Sequence, residues 1–374
     1  MQDSYGRVID YLRVSMTDRC NFRCIYCMPE EGAPIAPRDH LLTGEEIVRL
    51  VGIAARLGVR KVRLTGGEPL VRPDLTSIVK RIASLDGIGD LSLTTNGYRL
   101  AGKAPELAAA GLTRVNVSVD TLREDRFAAI ARRGDLASVL AGVAAARNCG
   151  LSPVKLNTVL MRGVNDDEVV DFARLTMEDP FDVRFIELMP IAWSTGVDTQ
   201  ADLRALCGAA RTRSANVTVF AHQDEASFAE TFRLSDGGTG MLDAAAMRRL
   251  FVPAAEARER IERALGPLEP AEVLTNGPAR SFRLPRATGT VGFISQMTRD
   301  FCERCNRLRL TADGFLRPCL MADGEVDMRT PMRTGATDAD LAELILLTVR
   351  HKPKEHRIAD GVMPTERGMS QIGG

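Results

Sequence analysis

Residues 20–27 read Cys20-Asn21-Phe22-Arg23-Cys24-Ile25-Tyr26-Cys27, three thiols spaced C-x3-C-x2-C. Thiolates are soft ligands, and three of them converging on one point suit either a zinc knuckle or an iron–sulfur cluster. A tetrahedral zinc site needs a fourth ligand, and no His or further Cys lies nearby in sequence. A four-iron cluster normally takes four cysteines, so three leave one iron open to something that is not protein.

Outward from this stretch, residues 8–190 alternate strand-like runs with helical patterns. Strands are expected near 11–16, 60–65, 91–95, 114–119, 154–160 and 183–188. Helices are expected near 44–57, 74–85, 103–110, 135–148 and 166–177. The clearest is 44–57, where Thr43 and Glu46 form a capping-box pattern and Gly58 is a stop signal. Repeated βα units predict a parallel sheet, and an open doubly wound sheet and a partial barrel both fit.

Alternation within the strands chooses between them. Strands buried on both faces read as continuous apolar runs, and these do not. Arg13 and Ser15 alternate with Leu12 and Val14, Arg63 and Thr65 with Val62 and Leu64, and Ser92 and Thr94 with Leu91 and Leu93. Asn116, Ser118 and Asp120 alternate with Val115, Val117 and Val119, and Lys155 and Asn157 with Val154 and Leu156. One face is made for helices, and the other for the lumen of a wheel that houses a polar ligand. Arg13, Arg63 and Lys155 on that face call for an anion, because uncompensated buried charge is costly. A nucleoside triphosphate would suit.

Thr65-Gly66-Gly67-Glu68-Pro69 follows the second strand, where glycines allow close backbone approach. No GxxxxGK[ST] loop occurs, so the chain is not a P-loop NTPase. Residues 194–249 lack a clean period and have no assigned role; His222 within them is not expected to be a ligand. Beyond them a helix is expected at 254–265, strands near 281–284 and 291–295, and a helix near 338–350.

A second triad follows: Cys302, Cys305 and Cys319, spaced C-x2-C-x13-C. Taken alone it also fits zinc completed by His351 or His356. Arg307 and Arg309 share one face of an extended segment and suit bidentate phosphate contacts. Cys149 and Cys207 read as spare thiols. The terminal Gly373-Gly374 would ordinarily be a flexible tail.

Composition sets limits. The 374 residues carry 49 acidic and 49 basic side chains, so general nucleic-acid binding is not expected. No apolar run reaches the roughly 20 residues of a membrane span, and residues 1–10 show no secretory h-region. Clustered cysteines point to metal in a reducing compartment rather than to disulfides, so a cytoplasmic location is expected.

The C-x3-C-x2-C run with Tyr26 before its last Cys resembles the signature of radical S-adenosylmethionine (SAM) enzymes. In those enzymes three cysteines hold a [4Fe-4S] cluster whose open iron binds SAM, and one electron cleaves SAM to a 5′-deoxyadenosyl radical. More narrowly, the chain outside 194–249 resembles the GTP 3′,8-cyclase family of molybdenum cofactor biosynthesis. The matching stretches are 12–29 (LRVSMTDRCNFRCIYCMP), 63–70 (RLTGGEPL), 93–97 (LTTNG), 114–120 (RVNVSVD), 184–189 (RFIELM), 302–309 and the terminal Gly pair.

That resemblance implies a partial (βα)6 TIM-like barrel at 1–193 and a C-terminal α+β extension at 250–374; residues 194–249 depart from the family pattern, which passes to the next helix through a shorter connection, and are expected to be an atypical insertion. It implies that Cys20, Cys24 and Cys27 hold the SAM cluster. Cys302, Cys305 and Cys319 would hold a second [4Fe-4S] cluster that meets the guanine of GTP. Tyr26, Gly67, Ser118 and Met189 match SAM-contacting positions. Arg13, Arg63, Thr94, Lys155, Arg307, Leu308 and Arg309 match GTP-contacting positions. Gly373 and Gly374 match a catalytic tail that enters the site. The expected partners are a flavodoxin- or ferredoxin-like electron donor, a downstream cyclic pyranopterin monophosphate synthase, and a second copy of the chain in a homodimer.

Overall fold

A computed structural model describes residues 1–189, 191, 249–273, 277–298, 301–357 and 367–373. The expected insertion at 194–249, apart from its last residue, lies outside the described residues, as do His222, Cys207 and Gly374.

The N-terminal part carries six strands: β1 (Tyr11–Ser15), β2 (Lys61–Thr65), β3 (Asp90–Thr95), β4 (Arg114–Ser118), β5 (Lys155–Leu160) and β6 (Asp182–Glu187). They pair in parallel in sequence order. This order settles the choice left open above. A doubly wound sheet reverses its strand order at a switch point. Here no reversal occurs. Successive right-handed crossovers therefore place the helices on one side of the sheet and leave the other side as a single concave surface.

Those helices are α1 (Gly44–Arg56), α2 (Leu75–Ala83), α3 (Ala104–Ala109), α4 (Glu124–Ala131), α5 (Leu136–Asn148) and α6 (Val169–Glu178). The capping box of α1 is present in full: Glu46 N–H donates to Thr43 Oγ1 and Thr43 N–H to the Glu46 carboxylate. The helix α4 was not expected from the sequence. It spans only two turns, with Phe127, Ile130 and Ala131 buried, which is too short a pattern to show a period.

The C-terminal part extends the same sheet at both edges. The strand β10 (Arg307–Leu310) lies parallel to β1, followed outward by β11 (Phe315–Arg317) and β12 (Val326–Asp327). At the far edge β9 (Thr290–Ile294) lies parallel to β6, followed by β8 (Arg280–Arg283) and β7 (Glu269–Pro270). The result is one sheet of 12 strands. The helices α7 (Ala254–Leu265), α8 (Arg329–Arg333) and α9 (Asp338–Arg350) complete the described elements of this part.

The period-two pattern holds residue by residue. Leu12, Val14, Val62 and Leu64 are buried in the main apolar core under the helices. Their neighbours Arg13 and Arg63 pair in register with each other and with Arg309 on the opposite, concave face. Phe172 of α6 is fully buried, edge-on to Phe185 of β6 at 6.3 Å. Truncating it leaves a cavity between helix and sheet. Phe172→Ala is expected to cost about 3–5 kcal/mol, read as a lowered denaturation midpoint with an unchanged m-value.

Candidate active site

The concave face opens into a cavity of ≈ 280 Å³ lined by all six cysteines of the two triads. Cys20, Cys24 and Cys27 lie on the loop after β1; Cys302 and Cys305 precede β10, and Cys319 follows β11. Two clusters nearly 300 residues apart in sequence therefore face one space, because β10 pairs directly with β1.

Among the described residues no three His, Cys, Asp or Glu side chains come together closely enough to hold a single metal ion. His351, one candidate fourth zinc ligand, is exposed at the end of α9 with Nδ1 2.9 Å from the Leu347 carbonyl. His356 lies on the cavity wall. The donor set fits iron–sulfur clusters better. Both triads already offer N–H groups to sulfur: Phe22 N–H to Cys20 Sγ at 3.4 Å, and Met321 N–H to Cys319 Sγ at 3.4 Å. Such bonds stabilise the negative charge of bound thiolates.

The two triads differ electrostatically. Burial, with Glu68 nearby, pushes the Cys20 thiol up to about 11. Burial and the neighbouring Cys20 and Asp120 push Cys27 up to about 12, and Cys24 rises for the same kinds of reason. Three half-buried thiolates in this triad need a positively charged centre to exist together. In the other triad burial also acts upward on Cys305, but Lys352 and Arg307 outweigh it and hold the thiol below its ordinary value.

The loop after β2 carries Gly66 and Gly67. A Cβ on Gly66 would strike the backbone of Met16 and Thr17, and one on Gly67 the backbone of Asp18 and Arg19. Gly67 N–H donates to Thr17 O and Glu68 N–H to Arg19 O, both at 2.7 Å. The glycines thus let this loop dock against the segment leading into Cys20, so the bare backbone serves protein packing as well as any ligand. Glu68 is buried and accepts from Leu70 N–H, Thr95 Oγ1 and Asn96 N–H. Burial still raises its carboxyl to about 7. Asp120, raised by burial to about 6, accepts from the Tyr26 hydroxyl at 2.7 Å and from Val159 N–H. It fixes the aromatic ring inside the first triad.

Tyr26, Gly67, Ser118 and Met189 all line the cavity, as do Arg13, Arg63, Thr94, Arg307 and Arg309. Burial and mutual repulsion lower the Arg63 and Arg309 values to about 10 and depress Arg13 as well. Arg307 stacks over Phe301 at 4.7 Å and Tyr11 at 5.7 Å. The only carboxylates on the described wall, Glu68 and Asp120, are hydrogen-bonded beside the first triad. The remaining wall is strongly cationic.

Two expected contacts lie elsewhere. Lys155 is fully buried behind the wall and forms an ion pair with Asp182 at 2.9 Å. Leu308 is buried in the apolar core, and it is absent from the cavity wall that its neighbours Arg307 and Arg309 line. Conversely, Arg184 and Asn157 line the cavity though no role was assigned to them. The signal was present: Arg184 alternates with the buried Val183 and Phe185, as Arg13 does with its neighbours. Arg184 shares Asp182 with Lys155, at 2.6 Å. The tail also enters. Ile372 is buried beside Ile25 and Leu188, and Arg309 Nη1 donates to Gly373 O at 2.7 Å. Gly373 has φ +68°, a left-handed backbone that favours glycine.

Comparison with known proteins agrees with this geometry. The radical SAM superfamily profile matches residues 14–176, and the profile described as Molybdenum Cofactor Synthesis C matches 243–358. The GTP 3′,8-cyclase of Moorella thermoacetica is 46% identical over 375 residues, covering 100% of both chains. Those of Pelotomaculum thermopropionicum and Heliobacterium modesticaldum are each 47% identical, again covering 100% of both chains. With both profiles matched and relatives aligned from end to end, this chain belongs to the GTP 3′,8-cyclase family of radical SAM enzymes.

Proposed function

We propose that the chain converts GTP and SAM to 3′,8-cyclo-7,8-dihydroguanosine 5′-triphosphate, 5′-deoxyadenosine and methionine, the opening step of molybdenum cofactor biosynthesis. The observation that carries this reading is one cavity lined by both thiol triads together with the buried Arg63, Arg307 and Arg309. The cofactors are two [4Fe-4S] clusters and SAM, which when bound supply a radical acceptor for one hydrogen atom of the ribose.

The chain's own residues bind, orient and exclude water. Cys20, Cys24 and Cys27 hold one cluster, and Cys302, Cys305 and Cys319 the other. Tyr26, Gly67, Ser118 and Met189 seat SAM beside the first triad. Arg13, Arg63, Arg307 and Arg309 grip the substrate's phosphates and fix the nucleotide between the triads, with Thr94 on the same face. Leu308 contributes through its main chain. Lys155 acts from behind the wall, its charge shared with Arg184 through Asp182. Gly373 and Gly374 act as the catalytic tail. The barrel at 1–193 and the C-terminal part at 250–374 each supply one triad.

A small flavodoxin- or ferredoxin-like protein is the electron donor, and cyclic pyranopterin monophosphate synthase takes the product. The working form is a cytoplasmic homodimer.

Anaerobic incubation with reductant, SAM and GTP is expected to yield 5′-deoxyadenosine and the cyclised nucleotide, identified by mass. Cys20→Ser should abolish SAM cleavage. Cys305→Ser should keep the first cluster, seen by iron content and its spectrum, yet lose cyclised product; full activity in this variant would sink the second-cluster assignment. Arg309→Ala removes a charge-assisted phosphate contact and should weaken GTP binding roughly 10- to 100-fold.

Lys155 gives a pH signature. Burial, with repulsion from Arg184, lowers it to about 7 despite the attraction of Asp182. Above that pH the ligand-free site holds largely neutral Lys155, and an arriving triphosphate favours the charged form. GTP binding should therefore take up a proton above pH 7 and weaken as pH rises. Calorimetry in buffers of different ionisation enthalpy measures the uptake, and Lys155→Met should remove it.

A further inference from the structure

Met369 and Ser370 of the tail line the cavity, and Gly373 O accepts from Arg309 on its wall; the root of this segment is held separately. The root is Arg367. Its guanidinium makes a two-point contact with Asp313, at 3.1 and 2.9 Å, and a second with Glu325, at 2.9 and 2.8 Å. It also lies 5.0 Å from the centre of the Phe315 ring. Arg367, Asp313 and Glu325 are 14%, 19% and 14% exposed, so solvent screens these contacts far less than it screens a surface ion pair.

The partners belong to one small structure. Asp313 sits in the turn between β10 and β11, Phe315 lies on β11, and Glu325 precedes β12. Glu325 also pairs at 2.8 Å with Arg317, which is fully buried on β11. Arg317 in turn donates to Ala322 O, within the loop that carries Cys319. The tail's root is therefore bolted to the hairpin that bears Arg309 on one strand and leads to Cys319 from the other.

The far end is held differently. Gly373 O accepts from Arg309, and Ile372 packs among the apolar side chains around Ile25. Arg309 is also a phosphate ligand in the reading given above. A substrate that recruits Arg309 weakens the outer tether, while the Arg367 clamp touches no ligand and persists. A segment tethered at one end keeps a high effective concentration at the site even when its tip lets go.

We propose that Arg367 is a positioning residue, clamping the root of the tail through Asp313 and Glu325 so that the segment from Met369 to Gly373 stays docked against the cavity during turnover. The inference rests on the reading that the tail serves the reaction. Arg367 does not touch the reacting atoms; it acts through the tail.

The test compares intact enzyme with Arg367→Gln, both reconstituted with iron and sulfide. Three readouts are taken: amide hydrogen exchange, kcat and KM for GTP, and iron content with the cluster spectrum. The expected result is faster exchange over 369–373 with the barrel strands unchanged. With it, kcat should fall about tenfold, as the docked fraction of the tail falls. KM for GTP should stay within about twofold and iron content should not change. A synthetic peptide matching residues 368–374 should restore turnover, because the clamp supplies only local concentration, and Arg367→Lys should fall between. Unchanged exchange and turnover overturn the proposal. So does a loss of iron without rescue by peptide, which would assign Arg367 to the Cys319 loop instead. If Arg367→Gln fails to fold, Arg367→Lys carries the same comparison. Deleting Gly373 and Gly374 separates the two ideas: unchanged turnover in that variant defeats the role of the tail itself, whatever Arg367→Gln does to its exchange.

Discussion

Buried positive charge along one concave sheet face is the constraint on which the site depends. Arg13, Arg63 and Arg309 stand side by side in register on adjacent strands. They repel one another and are shielded from water, so each holds its proton less firmly than usual. The Tyr11 ring and the Ser92 hydroxyl ease the cost at Arg63, and the Phe301 ring does so for neighbouring Arg307. A polyanion placed against these strands would offset that repulsion. At the first triad the opposite problem exists, since half-buried thiolates near Asp120 and Glu68 favour a cationic centre.

A singly wound sheet is what allows both demands to be met in one place. Its helices take one face, and every polar residue of the strand alternation is delivered to the other. Adding β10 beside β1 then imports Arg307, Arg309 and the second triad without disturbing the first. Close backbone approach at Gly66 and Gly67 lets the segment leading into Cys20 dock against the loop after β2. The carboxylates of Glu68 and Asp120 stitch these loops to neighbouring strands, so the ligand-bearing segments are held by rigid elements.

Much of this could be read in advance, and the failures have identifiable causes. Strand positions and the polar lumen followed from period-two alternation, which depends only on backbone geometry. Arg184 was overlooked though it obeyed the same rule. Lys155 belongs to the polar face, but alternation reports the face of a strand and not depth along the cavity, and Asp182 draws it behind the wall. Leu308 was carried over from a family pattern, while its own hydropathy already placed its side chain in the core. The helix α4 was too short to announce itself, and the Arg367 clamp joins residues whose neighbourhood no local pattern encodes.

From the order of amino acids alone came the two thiol triads with their incomplete ligand count, the strands with one polar face, and the demand for an anion. These are local properties: ligand chemistry, spacing and periodicity are written in adjacent residues. Tertiary structure alone decided that the strands wind in one direction, that both triads open into one cavity, and that the tail runs from a charged clamp to Arg309. Those facts depend on which strands pair across hundreds of residues. Strand pairing is set by the burial of a whole face at once, so no short stretch contains it.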